Sequence, residues 1–167
     1  MNIAHLHLLL NHFPILGSIF GTVILGVGLL LKRTDMKRIG LAFFIFAGLA
    51  IIPVVLTGDG AGEVLKNHHV EQGNLTSIHE EYGETLVWTC IALGLLSLFA
   101  FYLEVTQKSF ARMVMIGILV LSIANGYLLK LTGTSGGQIR HTELRDSVAI
   151  SPASNAEKKI VDNDGSH

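Results

Sequence analysis

The sequence predicts an all-α integral membrane protein, an antiparallel four-helix transmembrane bundle with both termini on the periplasmic side. Half of the 167 residues are hydrophobic and only 15% are charged, with mean hydropathy +0.52; a soluble domain carries roughly a quarter charged residues. Four apolar runs reach the roughly 20 residues that cross a bilayer. Basic residues gather in alternate loops, which sets an orientation. The same figures exclude a disordered chain and a coiled coil. A net charge of −1 offers no stripe for nucleic acid, and a single cysteine, Cys90, excludes an internal disulfide framework or a cysteine-only zinc cage.

The first span is read as Phe13–Leu31, preceded by the apolar stretch Ile3–Leu10. It lacks a basic leader and ends in Lys32–Arg33, so it reads as a retained helix rather than a signal peptide. Residues 3–31 as one helix would measure about 43 Å, beyond the ~30 Å hydrocarbon core. Pro14 suits a helix start, so Met1–Asn11 is expected in the interface, with the span opening near His12. Gly17, Gly21, Ile24 and Gly28 form a smooth stripe about 140° from His12, which reads as a packing face.

The second span is Ile39–Leu56, where Pro53 is expected to kink the helix and free a carbonyl. The third is Thr85–Leu103 and the fourth Met113–Leu131, with no acidic or basic residue in the middle of any span. Lys130, at the end of the fourth, can snorkel to the interface. After it, TGTSGG (Thr132–Gly137) reads as a helix breaker that turns the chain back over the bundle mouth. These spans make up a transmembrane domain over residues 1–146. From about Val148 the composition turns polar without apolar period, so residues 147–167 read as a disordered tail. No sequence repeat is strong enough to indicate an internal duplication.

The loop after span one carries Lys32, Arg33, Lys37 and Arg38, and the loop after span three carries Lys108 and Arg112. The long loop after span two holds Lys66 against Asp59, Glu63, Glu71, Glu80, Glu81 and Glu84. The basic loops are therefore expected in the cytoplasm. That orientation sorts the eight histidines. Apart from His167 in the tail, His5, His7, His12, His68, His69, His79 and His141 all fall on the outer side. His5 and His7, two apart, point to different faces and read as interfacial. His12, His79 and His141 each border a span end, where the helices of an antiparallel bundle converge. With Glu63 and Glu80 they make a candidate metal set, because imidazole and carboxylate together suit zinc, copper or iron; imidazole alone suits haem iron. Gly83, one turn below His79, leaves room for a flat macrocycle or a close helix. Phosphate-binding loops, the Gly-x-Ser-x-Gly elbow, Cys-x-x-Cys-His and His-Glu-x-x-His are all missing. With only Asn125 and a few Ser/Thr polar at mid-membrane, a transporter is disfavoured.

HLHLLLNHFPILG (His5–Gly17), TGDGAGE (Thr57–Glu63), IHEE (Ile78–Glu81) and GGQIRHTELR (Gly136–Arg145) stand in this order. Together they resemble an uncharacterised family of bacterial four-helix inner-membrane proteins, marked by His-Phe-Pro in helix one and Gly-Gly-x-x-x-His after helix four. The resemblance covers about residues 1–146. It implies roles for His12, His79–Glu80, Gly136, Gly137 and His141. Asp59, Gly60 and Gly62 depart from the usual Glu, Pro and Glu, so only Glu63 carries over from that motif. Members joined to Rieske or cytochrome c-type domains imply a redox setting.

The leading expectation is a b-type haem near the periplasmic face with His12 and His79 as axial ligands and His141 as substitute. Electrons would pass between membrane quinol and a periplasmic or membrane redox partner, and Glu80, Glu63 or Lys130 would handle protons. A copper, zinc or iron ion for binding or sensing is the second expectation. A cofactor-free accessory subunit of a larger membrane complex, docking through the glycine stripe, is the third. Homo- and hetero-oligomers both stay open, and no enzymatic reaction is assigned.

Overall fold

The computed structural model of the chain describes residues 3–67 and 74–141. Five helices follow one another: α1 (Ile3–Leu10), α2 (His12–Leu30), α3 (Thr34–Asn67), α4 (Leu75–Val105) and α5 (Ala111–Arg140), with no strand among the described residues. The expectations for His68–His69 and for the tail from residue 147 lie outside them.

Four helical stretches are long and apolar enough to cross a membrane: Ile3–Leu30, Thr34–Glu63, Leu75–Val105 and Ala111–Ile139. At most 39% of the most apolar window of each is buried inside the bundle. The remainder presents large apolar side chains outward, such as Leu30, Leu56, Val120 and Ile123. Water does not tolerate that much contiguous apolar surface on a monomer. The architecture is that of a multi-pass membrane protein.

The break between α1 and α2 has a local cause. Pro14 has no N–H for the Leu10 carbonyl and its ring crowds that oxygen, so the helix interrupts at Asn11, whose own N–H still reaches His7 O at 3.0 Å. Beyond the break α1 keeps to the side of α3. Ile3 packs at Gly60, Gly17 and Gly21 meet Ala47 and Phe44, and Gly28 meets Lys37 and Met36. The antiparallel register is thus constant along the whole seam. Gly17, Gly21 and Gly28 lie inside it, so the stripe is internal packing and is closed to a docking partner.

The other seams follow the same rule. Gly48 and Gly94 bring α3 and α4 into near-backbone contact, Thr89 on α4 reaches Asn125 on α5, and Asn125 approaches Ser18 on α2. Each helix therefore touches its chain neighbours, and α5 closes the ring against α2. Leu25, Leu41, Phe44, Leu93, Met115 and Ile118 fill the middle.

The helices outrun the apolar spans at one end of the bundle. α3 continues from Leu56 to Asn67, α4 begins at Leu75, and α5 runs through TGTSGG to Arg140. The expected breaker is thus helical. One of its glycines receives a side chain of the facing helix: the His79 ring packs at Gly136.

The opposite end holds two tight turns of one design. Lys32 (φ 54°) and Gln107 (φ 55°) take the left-handed conformation after α2 and α4. In each turn the next residue's N–H reaches back five positions, Arg33 to Gly28 O and Lys108 to Leu103 O, both at 2.9 Å; this is the Schellman closure. Beside the turns Lys37 Nζ donates to Glu104 Oε1 at 2.5 Å, with both side chains largely buried.

Candidate functional site

The extended end of the bundle carries two histidines held in the same way. The His7 ring, half-buried on α1, places Nδ1 3.1 Å from Val54 O and 3.1 Å from Thr57 Oγ1 on α3. The His79 ring, half-buried on α4, places Nδ1 3.1 Å from Thr132 O and 3.1 Å from Ser135 Oγ on α5. In both cases the hydroxyl stands three residues after the carbonyl and within donating distance of it, at 3.0 Å for Thr57 and 3.0 Å for Ser135; Thr57 also reaches Pro53 O, at 2.9 Å. In both cases the next residue is a glycine facing the ring: Gly58 beside His7 and Gly136 beside His79.

A carbonyl oxygen only accepts, so Nδ1 of each ring must carry the proton. In the neutral imidazole Nε2 then keeps its lone pair. The rings belong to different hairpins, yet His79 lies within electrostatic reach of His7, as it does of Glu80. Two buried oxygens close by in the chain, Asn11 Oδ1 and Thr132 Oγ1, have no hydrogen-bond partner. Unpaired buried oxygens are costly unless a ligand or water meets them. Gly83 is open: a Cβ there would meet nothing within 4 Å. This leaves a flank free one turn below His79.

The remaining sequence candidates are exposed. His12 is exposed, with Nδ1 2.6 Å from Leu8 O of the preceding turn. His141 is exposed and caps α5, its backbone N–H bonding Gly137 O at 2.8 Å. Glu63 and Glu80 are exposed, as are Asp59, Glu81, Glu84 and Lys130. Among the described residues, no three His, Cys, Asp or Glu side chains gather into a group sized for a metal ion.

The structure gives His7, which reads as interfacial from the sequence, the same bonded arrangement as His79. Spacing within α1 held no hint of it. A usable signal was longer-ranged: His7 stands eleven residues before Ser18, and His79 eleven before Cys90. Ser18 and Cys90 are both buried, and both meet the amide of Asn125. The second helix of each hairpin also carries a hydroxyl residue followed by glycine, Thr57–Gly58 or Ser135–Gly136.

Two imidazoles with free Nε2 atoms can bind a metal centre that brings most of its own ligands. Haem iron fits that description, since the porphyrin fills the equatorial positions and the protein adds the axial ones. Zinc or copper would need more donors than the pair supplies. No protein-family model matches the chain, and no curated protein or solved structure does either.

Proposed function

We propose that the protein is an inner-membrane redox protein that binds a b-type haem between His7 and His79, near the periplasmic face. The observation that carries the reading is the matched pair of Nδ1–H donors, which leaves both Nε2 atoms as bases on neighbouring hairpins. This puts His7 in the place expected for His12 from the sequence, because the His7 ring is half-buried and tied to a second helix, whereas the His12 ring is exposed and bonds only Leu8 O of the preceding turn. Haem when bound supplies one-electron chemistry. The chain's part is to hold and tune it. Each imidazole, donating its Nδ1–H to a carbonyl, becomes a stronger base at Nε2 and keeps its ring orientation. The apolar bundle beneath keeps water from the inner side. Lipid-soluble quinol is the proposed donor, with a periplasmic or membrane protein as acceptor.

The orientation rests on the basic residues Lys32, Arg33, Lys37, Arg38, Lys108 and Arg112 at the turn end, opposite the histidines. Single cysteines introduced at Asp35 and at Glu63 in a Cys90→Ala background test it. An impermeant maleimide applied to intact cells should label the second and spare the first.

The decisive measurement is the reduced-minus-oxidised spectrum of detergent-purified protein from haem-supplemented cells. A Soret and α-band pair is expected, lost in His7→Ala and His79→Ala and retained in His12→Ala. Absence of the bands from the wild type refutes haem binding. A zinc, copper or iron ion on the same imidazoles is the second reading; elemental analysis of that preparation separates the two.

A further inference from the structure

We propose that the chain consists of two copies of one hairpin, each holding one histidine ring against its second helix, and that Thr57 and Ser135 are equivalent positioning residues for the two rings. The inference rests on reading His7 and His79 as the ligand pair and adds how the pair is built.

Four correspondences carry it. Both rings bond a carbonyl and a hydroxyl three residues apart on the second helix of their own hairpin, all four distances being 3.1 Å. Both hydroxyls are buried and are followed by a glycine that faces the ring. Both first helices end in the same left-handed turn, at Lys32 and Gln107. Both place a small polar residue, Ser18 or Cys90, eleven positions after the histidine and against one amide, that of Asn125. The helix ring agrees. Exchanging the hairpins turns the α2–α3 seam into α4–α5 and the α3–α4 seam into α5–α2, and all four seams exist. Sequence similarity hides this relation because lipid-facing positions accept any apolar side chain, so only positions with a hydrogen-bonding or turn duty stay recognisable.

The hydroxyls have a specific duty. Each accepts from Nδ1–H while its own proton goes to a backbone carbonyl of the preceding turn, Thr132 O for Ser135 and Pro53 O or Val54 O for Thr57, so it fixes the ring plane as well as the tautomer. Thr and Ser are interchangeable in that role; Val and Ala are not.

The test uses full-length protein with 15N-labelled histidine in detergent, without added haem, reading the ring-nitrogen signals assigned through His7→Gln and His79→Gln. Both wild-type rings should show the Nδ1–H tautomer. Thr57→Val should raise the Nε2–H fraction of His7 alone, and Ser135→Ala that of His79 alone, by similar factors of roughly two to ten for one lost hydrogen bond. Thr57→Ser and Ser135→Thr should leave the spectra unchanged. An Nε2–H signal from either wild-type ring overturns the proposal, and that outcome holds even where Thr57→Val or Ser135→Ala fails to fold. A response in one half only, or swaps as disruptive as the deletions, overturns it as well. The readout needs no cofactor, so a missing haem spectrum defeats the functional proposal and leaves this one to be judged separately.

Discussion

Gly136 stands directly against the His79 ring, so that a Cβ at this position would come within 3.0 Å of Cε1 and 3.3 Å of Nδ1. The counterpart is looser: a Cβ on Gly58 would sit 3.7 Å from His7 Cε1, an ordinary contact. The two halves therefore differ in how much they tolerate. Gly136→Ala must push the ring by a few tenths of an ångström and lengthen both Nδ1 bonds, an overpacking cost of about 1–3 kcal/mol. Gly58→Ala meets no such obstacle. Under the proposed haem binding, haem content per protein should fall several-fold in the first variant and stay near wild type in the second. Equal behaviour of the two would mean that the His79 ring has slack which this packing denies it.

The Lys37–Glu104 pair pins α3 to α4 at the end away from the histidines. Neither charge is well exposed, so removing one strands the other in a largely buried place. Glu104→Gln or Lys37→Met alone should cost about 3–5 kcal/mol, the usual penalty for breaking a buried pair. Together they should cost much less, because no charge is left unmatched. Unfolding titrations in mixed micelles read the difference. Additive single-site losses would show that the two residues act independently.

Lys32 and Gln107 carry side chains in a conformation that favours glycine. A left-handed residue with a Cβ is disfavoured by roughly 1–2 kcal/mol, part of which glycine returns as unfolded-state entropy. Lys32→Gly and Gln107→Gly should therefore each stabilise the bundle by about 0.5–1 kcal/mol. Lys32→Val should destabilise it, since a branched Cβ fits that region worst. A lower melting temperature for both glycine variants would contradict the shared turn.

Much of the fold was legible because a bilayer leaves few choices. Runs such as Gly40–Leu56 are apolar on all sides, and a segment in lipid must satisfy its backbone internally, which demands a helix. The helix ends were harder. Thr57-Gly58-Asp59-Gly60 and Thr132–Gly137 look like breakers by composition, yet both run on as helix, because Ile3 and His7 pack at the first and His79 at the second. Tertiary contacts outweigh local propensity there. The site was half legible. His79 stood out through its place before an apolar run, whereas His7 was hidden inside one. Its significance depends on a partner fifty positions away, Thr57, and no periodicity within a single helix encodes that distance.

Asn125 sits fully buried at the middle of the bundle, where three helices meet. Its Oδ1 accepts from the Thr89 hydroxyl at 2.6 Å and its Nδ2 approaches Ser18 Oγ at 3.5 Å and Cys90 Sγ at 3.9 Å. Hydrogen bonds between apolar helices contribute about 0.6–2 kcal/mol each, since the separated helices also find partners. Asn125→Ala removes the set and opens a small cavity, so a loss of about 2–3 kcal/mol is expected. Asn125→Asp keeps the size but replaces the donor amide with an acid, which must stay protonated to avoid a buried charge. The Asp variant should therefore approach wild-type stability at low pH and lose it as pH rises, while the Ala variant responds to pH as the wild type does. Denaturant midpoints measured across pH for the three proteins decide the matter: parallel curves for Asp and Ala would place the Asn125 side chain in contact with water rather than in a sealed core.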